Sequence, residues 1–249
     1  MTKHKTSERL DLLLVGRGLA ENPEKAKRLI LAGKVRVDSQ PASKPGVKFQ
    51  CDSQIEVMAS PRFVGRGGDK LQAAFETFGI CIEGMVCLDI GASTGGFTDC
   101  MLQHGAAGVY AVDVGKGLIH MKLRNDPRVT VMDEVNARSL TQSMFQQPVS
   151  FATVDVSFIS LTKILPAVTQ VLVRGGHIVS LIKPQFEAKP EDVEKGGVVR
   201  NQAIRERVIE AIRSFGTGKL GLSWLGVCES PLKGPAGNVE FLAYWETKT

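Results

Sequence analysis

Apolar residues recur along this chain with two periods. Near its start Leu10, Leu13 and Leu14 fall at helical spacing within Glu8 to Gly16, and Ala26, Leu29 and Ile30 form a second stripe within Pro23 to Ala32. Asn22 can cap that second helix, Pro23 suits its first position, and Gly33 follows its end. The stripe leaves Lys25, Lys27 and Arg28 pointing outward, so one face is apolar and the other basic. Alternating segments follow at Val35 to Val37, Val47 to Phe49 and Ile55 to Val57, separated by the turn-rich residues Ser39 to Gly46.

After Ser60 and Pro61 the run Phe63-Val64-Gly65-Arg66-Gly67-Gly68 reads as a flexible junction, and from Asp69 onward strands alternate with helices. Strands are expected near 85–90, 108–113, 129–132, 150–156, 176–183, 220–228 and 239–245, and helices near 69–79, 97–104, 117–124, 139–145, 161–173 and 201–215. Such alternation implies a parallel sheet covered on both faces. Only Ser230 to Asn238 separate the last two strands, so these should pair as a hairpin. The expected fold is α/β, with a small α+β domain over 1–60, a linker over 61–68 and a main domain over 69–249. A seven-stranded sheet that ends in an antiparallel hairpin resembles the methyltransferase variant of the Rossmann fold rather than the dehydrogenase variant.

Composition narrows the class. The chain is 43% apolar and 23% charged, as in soluble globular proteins. The apolar run Leu12 to Val15 is closed by Gly16 and Arg17, and no stretch approaches the roughly 18 apolar residues of a membrane span. A cytoplasmic protein with no signal peptide and no membrane partner is expected. Cys51, Cys81, Cys87, Cys100 and Cys228 form no ligand-like spacing, which favours reduced core thiols and no metal site. The formal net charge is +5, and residues 1–60 carry 11 Lys and Arg against 7 Asp and Glu, nearly all of the excess. That asymmetry suits an anchor for a polyanion, or simply a solvated basic face.

Val86 to Ile90 runs directly into Gly91-Ala92-Ser93-Thr94-Gly95-Gly96-Phe97, where a helix opens. Glycines at such a turn let backbone approach a ligand, and the helix start offers free N–H groups. A nucleotide-like occupant fits, with Gly91, Ser93, Gly95, Gly96 and Phe97 as contacts. Asp113 follows the next strand 22 residues beyond Gly91, where its carboxylate can accept both ribose hydroxyls of an adenosine. The spacing Gly91-x-x-x-Gly95-Gly96 departs from G-x-G-x-x-G and favours S-adenosyl-L-methionine over NAD. Asp89, just before the loop, can orient the methionine end or brace the loop; Asp133 can accept from the adenine amino group or remain a solvated loop acid.

Transfer of a methyl group to a hydroxyl needs alignment, a proton acceptor and stabilisation of alkoxide charge. A lysine serves as acceptor when burial or positive neighbours favour its neutral form, whereas carboxylates oppose this. Lys70 at the start of the first main-domain helix, Asp155 after the fourth strand, Lys183 after the fifth and Glu240 before the last form such a set. The carboxyl ends of central parallel strands gather at one crevice, so Asp155 and Lys183 should be neighbours. Each also has a plain reading as a surface charge, an ion-pair partner or a hairpin acid.

The N-terminal quarter, through R-L-D-L-L-L-V-x-R-G-L-A, K-A-K-R-L-I-L-A-G-K-V-R-V-D and K-P-G, resembles the RNA-binding domain named after ribosomal protein S four. Its candidate RNA contacts are Arg9, Arg17, Lys25, Lys27, Arg28, Lys34 and Arg36. The rest, through R-G-G-x-K-L, L-D-I-G-A-S-T-G-G-F-T, R-N-D-P-R-V, D-V-S-F-I-S-L, L-I-K-P-Q-F-E and G-N-V-E-F-L, resembles the TlyA family, which is related to the FtsJ/RrmJ ribose methyltransferases. The resemblance implies a Lys-Asp-Lys-Glu tetrad at Lys70, Asp155, Lys183 and Glu240, with Lys183 as the proton acceptor. It further implies 2′-O-methylation of cytidine in ribosomal RNA, with RNA or a ribosomal subunit as partner. The motif usually written E-x-T-N-x-R here reads Asp133-Glu134-Val135-Asn136-Ala137-Arg138. The chain also stops soon after its last strand, without the C-terminal extension of members that modify both subunits, which points to large-subunit RNA. Rival classes are a membrane-active hemolysin, which needs an amphipathic or spanning element; an RNA-binding or ribosome-assembly factor, which need not keep the tetrad; and a nicotinamide-dependent oxidoreductase, which cofactor binding would distinguish.

Overall fold

The computed structural model describes residues 6–58 and 61–248. The chain divides into two compact units, with the boundary after Pro61. The first contains β1 (Ser7–Arg9), α1 (Leu10–Gly16), α2 (Pro23–Leu31), β2 (Val35–Val37), β3 (Gln40–Ala42), β4 (Lys48–Gln50) and β5 (Ile55–Val57). Strand β1 pairs antiparallel with β4, while β2 lies between β3 and β5 in a three-stranded antiparallel sheet. Leu10, Leu14, Ala26, Ile30, Val35 and Val37 form its core. The Asn22 side chain accepts from Lys25 N at 2.8 Å and caps α2. Two details depart from the sequence pattern. Glu8 and Arg9 lie in a strand, so the first helix begins at Leu10. The supposed turn region contains β3, because Asp38 and Ser39, both at positive φ, make a two-residue hairpin turn.

The second unit holds α3 (Gly67–Phe78), β6 (Val86–Ile90), α4 (Gly96–Gln103), β7 (Gly108–Val112), α5 (Met121–Arg124), β8 (Val129–Met132), β9 (Val149–Val154), α6 (Leu165–Val171), β10 (Leu172–Ile182), α7 (Pro184–Glu187), α8 (Gln202–Lys219), β11 (Ser223–Glu229) and β12 (Phe241–Glu246). Its seven strands run β11-β12-β10-β9-β6-β7-β8, and β12 is antiparallel to both neighbours. Alternation along the strands builds two cores. Leu88, Ile90, Val112 and Val154 face one side with Leu165 and Val168 of α6 and Val208 and Ile212 of α8. Cys87, Val109, Ala111 and Phe151 face the other with Leu71 and Phe75 of α3 and Phe97 and Met101 of α4.

Several expectations need correction. The stretch read as a flexible junction is anchored: Phe63 is buried against the α3–α4 core, and Val64 N donates to Asp99 Oδ2 at 2.9 Å. The helix expected over 139–145 is two 3₁₀ turns, Ala137–Ser139 and Gln142–Met144. Its side chains bond locally instead of leaving the backbone to a helix: Ser139 Oγ donates to Asn136 O, and Thr141 Oγ1 meets Ser143 Oγ at 3.0 Å. The helix placed over 117–124 shortens to α5 because Gly117 takes positive φ and the His120 ring accepts from Lys122 N. The helix placed over 161–173 becomes a 3₁₀ turn plus α6, and β10 begins already at Leu172. The short helix α7 has no counterpart in the sequence pattern. Of the cysteines, Cys87 and Cys100 are buried, with thiols pushed up to about 12 by burial, but Cys51 and Cys81 are exposed and not core residues.

Candidate active site

The site forms where the chain leaves the sheet. Register places Ile90 beside Val112 and Val154, so Gly91, Asp113 and Asp155 emerge side by side. Ile182 pairs with Phe241, which brings Lys183 at the end of β10 to Glu240 at the start of antiparallel β12. Gly91 sits at φ +79, and a Cβ there would lie 2.3 Å from the Asp155 carbonyl oxygen, so only glycine permits this approach. A Cβ on Gly96 would lie 2.8 Å from Gly68 N; the close crossing of α3 and α4 thereby aims Lys70 into the crevice.

Two adjoining cavities result. The first, about 540 Å³, is lined by all four expected tetrad residues, together with Arg66, Ser93, Gly96, Phe97, Ser157 and Lys233. Inside it Lys183 Nζ lies 2.6 Å from Asp155 Oδ1, and Lys70 Nζ donates to Glu240 Oε2 at 2.6 Å. Both lysines are largely withdrawn from solvent, and Glu240 is 1% exposed. Asp155 Oδ1, although close to Lys183, lies off any hydrogen-bonding direction and is a buried acceptor without an aligned donor. Lys183 Nζ instead donates to Ser157 Oγ at 2.9 Å. Among the described residues, Arg66 and Lys233 at the rim have no carboxylate partner.

The second cavity, about 470 Å³, shares Gly91, Ser93, Asp155 and Ser157 with the first. Its walls are mostly apolar, formed by Val112, Val114, Leu118, Val135, Ile159 and Ile164, with Asp113, Asn136 and Arg138 as further polar members. Asp113 Oδ2 accepts from Ser93 N and Oδ1 from Gly115 N, each at 2.8 Å, which leaves one lone pair per oxygen for a ligand. A cavity of this size and lining fits an adenosine-sized group.

Two candidate cofactor contacts lie elsewhere. Asp89 is fully buried on the α4 side of β6, where Thr98 Oγ1 donates to it at 2.6 Å and Thr153 Oγ1 at 2.9 Å. Of its two readings, the geometry supports the loop brace; burial pushes its carboxyl up to about 6. Asp133 lines neither cavity, since Arg124 donates to it at 3.0 Å and holds its carboxyl below the usual range. Val135 to Arg138 form the wall instead. Ser157 and Phe158 belong to the site without being signalled by the sequence pattern, although both stand in D-V-S-F. Phe158 takes φ +62 and is 90% exposed at the mouth of the second cavity, its ring 5.0 Å from that of Phe186. A bulky residue with positive φ is rare and marks a position fixed by its surroundings.

In the first unit the candidate RNA contacts separate into two groups. Arg9 grips Asp11, Lys25 pairs with Glu21 and Lys27 with Glu24, and Arg17 donates to the carbonyls of Cys51 and Ser53. Arg28, Lys34 and Arg36 have no such partner among the described residues. Arg28 and Lys34 line, with Lys25, a cavity of about 480 Å³.

Residues 63–247 match the family model of the FtsJ-like methyltransferases, and residues 8–52 that of the S4 domain. A Mycobacterium tuberculosis protein named 16S/23S rRNA (cytidine-2′-O)-methyltransferase TlyA is 44% identical over 97% of this chain and 90% of its own length. This chain belongs to the TlyA family of FtsJ-like methyltransferases. A Brachyspira hyodysenteriae member named Hemolysin A is 44% identical over 95% of this chain and 99% of its own. A solved structure described as a hemolysin from Streptococcus thermophilus matches with TM-score 0.75 and 44% identity, covering 98% of this chain and 90% of that one. More distant methyltransferase structures, such as one from Pyrococcus horikoshii at 19% identity, share the fold of the TlyA main domain. None of the described helices is long and apolar enough to cross a membrane.

Proposed function

We propose that this TlyA-family enzyme methylates the 2′-hydroxyl of a cytidine in ribosomal RNA, using S-adenosyl-L-methionine held in the second cavity. The observation that carries this reading is the meeting of Lys70, Asp155, Lys183 and Glu240 in one cavity that opens into an adenosine-sized one. Asp113 would accept the ribose hydroxyls, the apolar wall would receive the adenine, and Gly91 would let the ligand lie against backbone. S-adenosylmethionine supplies an electrophilic methyl group. Lys183 accepts the proton of the 2′-hydroxyl as the oxygen attacks. Lys70, fixed by Glu240, places positive charge where alkoxide character develops. Phe158 offers an exposed ring on which a nucleobase can stack, and Arg66 and Lys233 offer unpaired charge to the strand. Arg28, Lys34 and Arg36 of the S4 domain, without a carboxylate partner among the described residues, would contact RNA phosphates.

In single-turnover assays with ribosomal subunits, Lys183→Ala should keep S-adenosylmethionine binding and lose at least about 100-fold in methyl transfer, the low end for a general base. Lys183→Arg should do little better, because guanidinium stays protonated. Near-wild-type transfer by folded Lys183→Ala would refute the assignment.

A further inference from the structure

We propose that Ser157 is a positioning residue for Lys183, its hydroxyl oxygen fixing the rotation of the amine so that one tetrahedral direction of Nζ faces the open cavity. The inference rests on Lys183 being the proton acceptor. Its observations are independent of that role. Lys183 leaves the end of β10 with its side chain 10% exposed, lines the first cavity and has its amine head beside Asp155 and Ser157. Of the groups around that head, Ser157 Oγ is the aligned acceptor at 2.9 Å, whereas the closer Asp155 Oδ1 is off axis. Attraction to a carboxylate at 2.6 Å holds a charge near it but does not choose a rotation about Cε–Nζ. An aligned hydroxyl oxygen does.

The consequence follows from the valence of nitrogen. A neutral amine has two N–H bonds and one lone pair. With one N–H held by Ser157, the second N–H and the lone pair share the two remaining tetrahedral directions of Nζ, beside Asp155 and the first cavity, which Lys183 and Ser157 both line. In the reaction the 2′-oxygen gains the methyl group, the sulfonium becomes a thioether, and the hydroxyl proton moves to Nζ, giving an ammonium. Ser157 remains hydrogen-bonded to Nζ in both states. Among the described residues, the other charged groups facing this space are the Lys70–Glu240 pair from α3 and the start of β12, and Arg66 and Lys233 at the rim; Phe186 of α7 presents its ring 6.0 Å from Nζ. None of these supplies a second aligned acceptor.

The test is the pH dependence of single-turnover methyl transfer by the full chain. Ser157→Ala should lower the plateau by about 10- to 100-fold, the scale of a misplaced reacting group, with S-adenosylmethionine affinity within about threefold of wild type. It should also move the ascending limb to lower pH, because an acceptor of the ammonium has been removed. Ser157→Thr, which keeps the hydroxyl, should restore both features. An unchanged plateau and limb in Ser157→Ala, or a lower plateau with the limb in place, would overturn the proposal while leaving Lys183 as the base. A Ser157→Thr protein no better than Ser157→Ala would overturn it too. Lys183→Ala, measured alongside, tells the two readings apart: if that variant transfers methyl normally, the base is lost and Ser157 has no task.

Discussion

Replacing Asp89 by Asn tests the reading of this carboxylate as a brace that acts from within the core. Asp89 has no solvent exposure, and desolvation raises it from 3.8 to about 6 against the opposing bonds from Thr98 and Thr153. A folded value above the unfolded one means that the native state binds the proton more tightly. The wild-type protein is therefore stabilised by this group below pH 3.8, and loses that contribution as pH rises through 6. The difference of about two units corresponds to about 3 kcal/mol at neutral pH. Asn has nearly the same shape, accepts one threonine hydroxyl, donates to the other after its rotation, and carries no charge to bury. Urea unfolding of both proteins between about pH 4 and 8 removes contributions common to them. The stability of Asp89→Asn relative to wild type should rise by about 2.4 kcal/mol across that range, with most of the change before about pH 7. Parallel curves would show that the buried carboxylate is not the source, and would refute the reasoning.

Three further outcomes follow from the site and the basic face. Asp113→Ala removes the acceptor of Ser93 N and Gly115 N as well as that of the proposed ribose hydroxyls, so calorimetry should show S-adenosylmethionine affinity weaker by about 1–3 kcal/mol; unchanged affinity in the folded variant would remove Asp113 from the site. Changing Arg28, Lys34 and Arg36 to Gln should flatten the dependence of RNA affinity on salt by about 0.7–0.9 logarithmic units for each phosphate no longer neutralised, whereas Arg17→Ala, which breaks two hydrogen bonds to carbonyls, should first lower the stability of the N-terminal unit.

Much of this arrangement is legible in the sequence, and the reasons are local. Period-two alternation in Val86 to Ile90 and in Val109 to Val112 fixes which side chains face each core, and the strand ends then place Gly91, Asp113, Asp155 and Lys183 together. Asn22 and Pro23 announce α2 through their own chemistry. The failures are also physical. Residues 136–144 carry polar side chains that bond to nearby backbone and to one another, which the helical spacing of the segment does not reveal. Asp133 cannot be separated from its neighbours by sequence because its partner, Arg124, comes from another element. Phe63 looks like part of a glycine-rich hinge, yet its burial depends on α3 and α4 crossing at Gly68 and Gly96. Ser157 and Phe158 acquire their positions only from the turn after β9 and the arrival of Lys183 and Phe186 beside it.

The central claim is that a ribose oxygen of cytidine receives the methyl group, and nucleoside analysis tests it most directly. Ribosomal subunits lacking the modification would be incubated with the purified protein and S-adenosylmethionine carrying a labelled methyl group, and the RNA digested by alkali and, separately, to nucleosides. A 2′-O-methyl group removes the hydroxyl that cleaves the adjoining phosphodiester, so the label should reside in an alkali-resistant dinucleotide and, after full digestion, in 2′-O-methylcytidine. Label in a base-methylated nucleoside, or in alkali-sensitive mononucleotides, would contradict the account.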